Sequence, residues 1–343
     1  MRVLALLVLL ALAGCSRAVP PGVTELTYAT PYPASHPFSR ADQRWINYVE
    51  RASGGTLRIR PVWAGALLSS DMSLEELRHG VADVGLITPI YSRGGTHLLR
   101  IQTGFYSGAD SIGSQVALYR CLEGSVPEIG RELEGLHVLA VQGGLLPGIL
   151  TRKKQIKSLA DLKGMRIRAP TELLAVLRSL GADPINMPMG DVYSAMARDV
   201  IDGVVAPVDT FRVLHFDEVG KYFYTLSIPR GAYPSRAIGD QAWRRLSPEQ
   251  QRILKAATPV WEAALTDEIE AGARAGLGAA RSAKVVFTSA TPDQQAQFDA
   301  LYLKDAGSNA RALGAFGIDG IAAFKAARTA VHGRDKISCG APS

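Results

Sequence analysis

Between residues 25 and 89 short runs of alternating apolar residues take turns with capped helical segments, and this order leaves few folds open. Glu25 to Thr30 alternates as a strand. The next segment carries Ala41, Trp45 and Val49 at four-residue spacing and stops at Gly54-Gly55, the pattern of an amphipathic helix with a glycine end. TLRIRPVW, residues 56 to 63, alternates again. SLEELRHG follows, with Ser73 and Glu76 in the register of a capping box and Gly80 at the end, and then the apolar strand ADVGLIT. Strands linked by helices cannot pair as tight hairpins. The order therefore predicts a parallel or mixed sheet covered by helices. A chain of 343 residues is too long for one such core and suits two lobes.

A second copy of the pattern supports two lobes built alike. LRHGVADVGLITP, residues 77 to 89, is matched by MARDVIDGVVAP, residues 196 to 207, with Val81 and Asp83 answering to Val200 and Asp202. Between the copies lies SLADLKGMRIRAP, residues 158 to 170. Ser158 caps a short helix with Asp161 at the capping-box position, Gly164 ends it, and MRIRA reads as a strand. Met165 and Ile167 face one way on that strand, Arg166 and Arg168 the other. A helix over 171–180 closes at Gly181. Further on, Ser247, Pro248 and Gln250 open a helix that the pattern carries for more than twenty-five residues, with a kink expected at Pro259. Thr291 and Pro292 open another.

Several function classes find no support. The six histidines are dispersed, without the paired helical spacing of a metal site, and there is no Walker loop and no nucleophile elbow, so no metal, cofactor or catalytic residue is expected. The net charge of +6 comes from scattered basic residues, not a stripe, which argues against nucleic acid. The N-terminus has Arg2, then an apolar run too short to span a bilayer comfortably, then LAGCS. LAGCS resembles the bacterial lipobox. That resemblance implies a signal peptide over 1–14, export to the periplasm, and a lipid anchor on Cys15 at the head of a linker over 15–24. If Cys15 carries lipid, Cys121 and Cys339 remain as a pair for which an oxidising compartment permits a disulfide.

Arg168 is the leading site candidate on position alone. It stands at the carboxyl end of its strand, where ligands of open α/β sheets bind, and its guanidinium fork matches a carboxylate. Arg166 reads as solvated or structural. SLADLKGMRIRAP together with GADPINMPMGDVYSAMARDVIDGVVAP resembles the substrate-binding proteins of tripartite ATP-independent periplasmic (TRAP) transporters. The segment from Ser35 to Ile87 is similar to that family's first lobe, and residues 247 to 280 to its lobe-spanning helix. The resemblance implies an α/β, two-lobed periplasmic binding protein fold with a hinge cleft. Lobe 1 then takes 25–141 and 229–270, lobe 2 takes 142–228 and 271–335, and 336–343 is a tail. It implies a monomer that binds a small organic acid, does no chemistry, and delivers its ligand to TRAP permease membrane subunits. It also places on Arg168 the family's carboxylate clamp.

Two departures bear on the ligand. Ala206 stands where the family often has Asn, and GGLLPG, with Pro147 and Gly148, where many members carry a second arginine. With Arg168 as the one identified cation, a single carboxylate on a less polar body is expected. Further pocket candidates follow strand ends: Tyr32, Ser35 and His36; Tyr91; and Asp209, Thr210 and Phe211. A sensory lipoprotein, or an exported enzyme on the same lobes, is the alternative.

Overall fold

The structure, a computed structural model, describes residues 20–92 and 94–339. Cys15 and the segment expected to be a signal peptide lie outside the described residues. Two mixed sheets are present. The first contains β1 (Thr24–Ala29), β2 (Leu57–Val62), β3 (Val84–Leu86), β4 (Leu136–Gln142) and β10 (Tyr233–Gly239), in the order β2-β1-β3-β10-β4. The second contains β5 (Gly148–Thr151), β6 (Arg166–Arg168), β7 (Asp183–Ile185), β8 (Gly203–Ala206), β9 (Tyr222–Thr225) and β11 (Val286–Ser289), in the order β11-β9-β5-β8-β6-β7. Helices link β1 to β2 and β2 to β3, so β1 pairs parallel with both. The chain passes between the sheets at 143–147 and again at 226–232.

The repeated Val-x-Asp has a physical basis. The Asp83 carboxylate accepts a hydrogen bond from the Thr27 amide at 2.7 Å, and the Asp202 carboxylate one from the Arg166 amide at 2.8 Å. Each aspartate thereby ties the strand it precedes to its parallel neighbour. Each also meets an arginine: Arg245 for Asp83 at 2.5 Å, and Arg166 itself for Asp202 at 3.2 Å. The turn before each motif needs a left-handed residue, supplied by Gly80 (φ +75°) in one lobe and Asp199 (φ +57°) in the other. Arg166 is thus held at the amino end of β6, between β8 and β7.

Local signals fare unevenly. The caps at Ser158, Ser247 and Thr291 form with their partners Asp161, Gln250 and Gln294. The box expected at Ser73 does not. Met72 is the N-cap, Ser73 is buried inside the helix and accepts from the Thr88 amide, and Glu76 instead accepts from the Ser69 amide and hydroxyl. The long helix expected from Ser247 is broken. Pro248–Ala256 ends, and α3 (Thr258–Ser282) starts with Pro259 in its first turn, where proline's missing N–H costs nothing. It follows α1 (Pro37–Ala52) and α2 (Ile112–Ser125) in chain order and precedes α4 (Pro292–Ala312) and α5 (Gly320–Ala330).

Two helices join the lobes. The first half of α3 buries Trp261, Ala264 and Leu265 beside Trp45 in the lobe 1 core, and its second half puts Ala280 into the lobe 2 core. Gly276 makes the second contact possible: a Cβ there would come within 1.9 Å of the Val208 carbonyl. On α4, Phe298 and Tyr302 pack in lobe 2, whereas Ala306 and Ala310 pack with Leu98, Phe105 and Leu118 of lobe 1. The expected boundary of lobe 2 at residue 335 is therefore corrected. A 21-residue helix is about 30 Å long, enough to leave one core and enter the other, so the chain from 306 onward belongs to lobe 1. There Cys121 of α2 and Cys339 are joined through their sulfurs, with Cα atoms 5.1 Å apart.

Candidate ligand-binding cleft

The carboxyl ends of β1, β3, β6 and β8 deliver four loops to the space between the lobes, and the two crossings form its back. Two adjoining cavities result. They share Ile90, Tyr91, Met189, Pro207, Arg230 and Tyr233. Arg168 lines the first. It is 2% exposed, since β7 and β8 flank its strand and the Tyr91 loop covers it. Its Nε donates to the Met187 carbonyl at 2.9 Å and one Nη to the Tyr91 hydroxyl at 2.7 Å, with the Tyr91 ring centroid 5.7 Å from the guanidinium carbon. Among the described residues no carboxylate lies within 4.0 Å of Arg168, and no protein group takes its other Nη. A buried guanidinium with neutral partners and one free edge is poised for an anion.

The second cavity contains Tyr32 and His36, stacked with ring centroids 4.1 Å apart, together with Phe38, Asp209 and Thr210. His36 Nδ1 accepts from the Phe38 amide at the start of α1. Burial, aided by the Arg236 and Arg40 charges, pushes the imidazole down to about 3 and keeps it neutral. Burial raises the Tyr32 and Tyr233 hydroxyls above the usual phenol range. Asp209 is pushed up to about 6 by burial, against the opposing pull of Arg230, and its Oδ1 has no partner. Thr210 turns its hydroxyl onto the Pro207 carbonyl at 2.6 Å.

Three sequence candidates lie off the cavity walls. Ser35 is exposed and gives its carbonyl to Arg40. Ala206 is fully buried in β8 opposite Gly148, its neighbours Val205 and Pro207 reaching the cavity instead. Phe211 points into the lobe 2 core, edge-on to Phe223 at 5.2 Å. Adjacent residues face opposite ways in a strand and about 100° apart in a helical turn, and position in the chain alone did not settle which one faced in.

Two charged residues went unnoticed in the sequence. Arg230, from the second crossing, lines both cavities, and its guanidinium lies over Gly144 so closely that a Cβ there would come within 2.3 Å of it. Arg168 is therefore not the one cation of the cleft. Glu172, four residues after Arg168, lines the first cavity. Arg230 sits in SIPRGAY, an irregular stretch without a motif, so no periodicity could have flagged it. The described residues hold no cluster of three His, Cys, Asp or Glu side chains able to hold a metal ion, and no helix long and apolar enough to cross a membrane.

Residues 28–304 match the model of the bacterial extracellular solute-binding proteins, family 7. The chain belongs to that family. Among similar proteins, the monocarboxylate 2-oxoacid-binding periplasmic protein of Nostoc is 28% identical over 61% of this chain and 58% of its own length. The C4-dicarboxylate-binding protein DctB of Bacillus subtilis is 26% identical over 64% of this chain and 62% of its own. The chain thus matches less than two thirds of the length of either relative. The fold is shared with a TRAP solute-binding protein of Rhodoferax ferrireducens, crystallised with copurified benzoate, at a TM-score of 0.80 and 21% identity over 90% of this chain and 97% of that one.

Proposed function

We propose that this protein captures a small organic acid outside the cytoplasm and delivers it to the membrane subunits of a TRAP permease. Arg168 holds the ligand carboxylate and the lobes close over it, in the manner of hinge-type binding proteins. The observation that carries this reading is the burial of Arg168 without a carboxylate partner. A guanidinium so enclosed is costly unless an anion joins it, and its free edge opens on a cavity. The α3 and α4 helices and the two strand crossings supply the hinge.

The ligand we favour is a monocarboxylate with an apolar or ring-bearing body. Counting cations no longer supports this, because Arg230 is a second one. Charge balance does. Arg230 shares the cleft with Asp209, and both Arg168 and Arg230 act on Glu172, so two cations already face two acidic side chains and leave no surplus for a second ligand carboxylate, while Arg168 keeps a free edge with no carboxylate in direct contact. Ile90, Leu173, Met189 and the prolines at 147, 170 and 207 leave few groups to satisfy a polar body, and Tyr32, Tyr91 and Tyr233 offer ring faces. The relatives named above take both kinds of acid, so the choice rests on this cleft. A thermal-shift panel decides it. Oxo, hydroxy or aromatic monocarboxylates should give the largest shifts, and succinate and malate small ones. Tight binding of the dicarboxylates alone would assign Arg230 to a second ligand carboxylate.

A further inference from the structure

Glu172 has no role in clamping an anion, yet it stands in the wall of the anion cavity. It is 9% exposed, and its Oε2 is enclosed without a hydrogen-bond partner. It lies where the lobes meet. A Cβ on Gly104 of lobe 1 would sit 3.4 Å from the Glu172 Cβ, and the hydroxyl of Thr103, which also lines the cavity, stands near enough to the Glu172 carboxyl to favour its charged form without closing a hydrogen bond to it. The fields of both Arg168 and Arg230 reach the carboxyl, against a burial that raises its pKa. A buried carboxyl left short of donors is destabilising unless something supplies them. In this cavity a bound ligand, its own carboxylate engaged by Arg168, can supply one.

We infer that Glu172 is a specificity-determining residue that accepts a hydrogen bond from an O–H or N–H group carried close to the ligand carboxylate, so that the preferred ligand is a hydroxy or amino acid, not its unsubstituted or oxo counterpart. This rests on the functional reading above, in which Arg168 holds the carboxylate. A site built to pair such a donor rejects the analogue lacking it, because the acceptor is then left buried and unpaired.

The test is calorimetry on the whole protein with acids that differ in one group: mandelate, phenylglycine, phenylglyoxylate and phenylacetate, and the smaller pair lactate and propionate. Wild type should bind mandelate or phenylglycine, or lactate within the small pair, roughly tenfold to hundredfold more tightly than the acid without the donor. Glu172→Leu should bring that ratio to near one while leaving the affinity for the unsubstituted acid in place. Glu172→Gln, which keeps an acceptor oxygen and the side-chain shape, should retain part of the ratio and guards against a folding defect in the leucine variant. An unchanged ratio in Glu172→Leu overturns the inference. So does an equal loss for every acid, which would make Glu172 a latch against Thr103. A preference for phenylglyoxylate that vanishes in Glu172→Leu would make Glu172 a donor and overturn it too. If wild type binds none of these acids, the functional reading falls along with the inference, whereas binding without preference removes the inference alone.

Discussion

Arg168 and Arg236 are both all but inaccessible to solvent, at 2% and 0% exposure, and their surroundings are opposite. Arg236, on β10 in the lobe 1 core, pairs through Nε with the Asp42 carboxylate at 2.9 Å and donates through Nη1 to Gln142 at 2.7 Å. Tyr28 and Trp261 donate to the same carboxylate at 2.5 and 2.8 Å. The charge is neutralised inside the protein, and five elements, β1, β4, β10, α1 and α3, are pinned together by it. Arg168 is held by a carbonyl and a phenol alone. One guanidinium is a structural part and the other an unfinished pair. What separates them is whether the fold brings a carboxylate to the same place.

The largest effect should come from breaking the complete pair. Arg236→Met leaves Asp42 at 0% exposure without its cationic partner and should lower stability by about 3–5 kcal/mol in denaturant unfolding. A loss under ~1 kcal/mol would mean that the two arginines are not different in kind. Arg168→Ala should do the reverse. Its melting temperature should stay within a few degrees of wild type, while affinity for the ligand falls by at least ~2–3 kcal/mol, roughly 30- to 150-fold. Arg168→Lys should bind poorly as well, since a point charge cannot replace the fork. Calorimetry showing unchanged affinity in Arg168→Ala would remove the clamp.

A smaller effect tests whether the cleft wall can be moved without touching the Arg236 network. In Gly276→Ala the new methyl meets the Val208 carbonyl and must displace the 207–210 segment. Overpacking of this kind costs ~1–3 kcal/mol. Ligand affinity should fall with it, while tryptophan fluorescence from Trp45 and Trp261 beside Arg236 should not change.

The smallest expected effect is on pH. The Asp209 carboxyl, at about 6 in the folded chain, lies above its unfolded value. Its contribution to stability is therefore greatest below pH ~4 and is lost as pH rises through 6. Neutral His36, at about 3 when folded, acts the other way, contributing fully above pH ~6.5 and losing that contribution as pH falls toward 3. Below pH 6 the cleft also sheds the Asp209 charge. Affinity for an anion with a carboxyl of ordinary acidity should rise by roughly twofold to fivefold from pH 7 to pH 5. Asp209→Asn should abolish that slope, and a slope that persists would point to Glu172 instead.

The sequence by itself determined what depends on neighbours along the chain. Alternation marked the strands, four-residue spacing marked α1, and Ser158, Ser247 and Thr291 marked their caps, because each signal closes within one turn or one pleat. It also put Arg168 at a strand end and repeated the Val-x-Asp turn that binds parallel neighbours in both lobes. The capping box read at Ser73 and Glu76 gave way to tertiary contacts: Ser73 accepts from the Thr88 amide, Glu76 accepts from the Ser69 amide, and Met72 stands at the N-cap. Only the tertiary structure decided the partners of charge. Asp42 and Arg236 are 194 positions apart, Glu172 meets Thr103 across the seam, and Arg230 arrives over Gly144 from the second crossing. The same holds for α4, whose length allowed it to leave one core but whose destination depended on an apolar face waiting in lobe 1. A buried charge is structural or functional according to what stands within about 4 Å of it, and that distance is set by segments far apart in sequence.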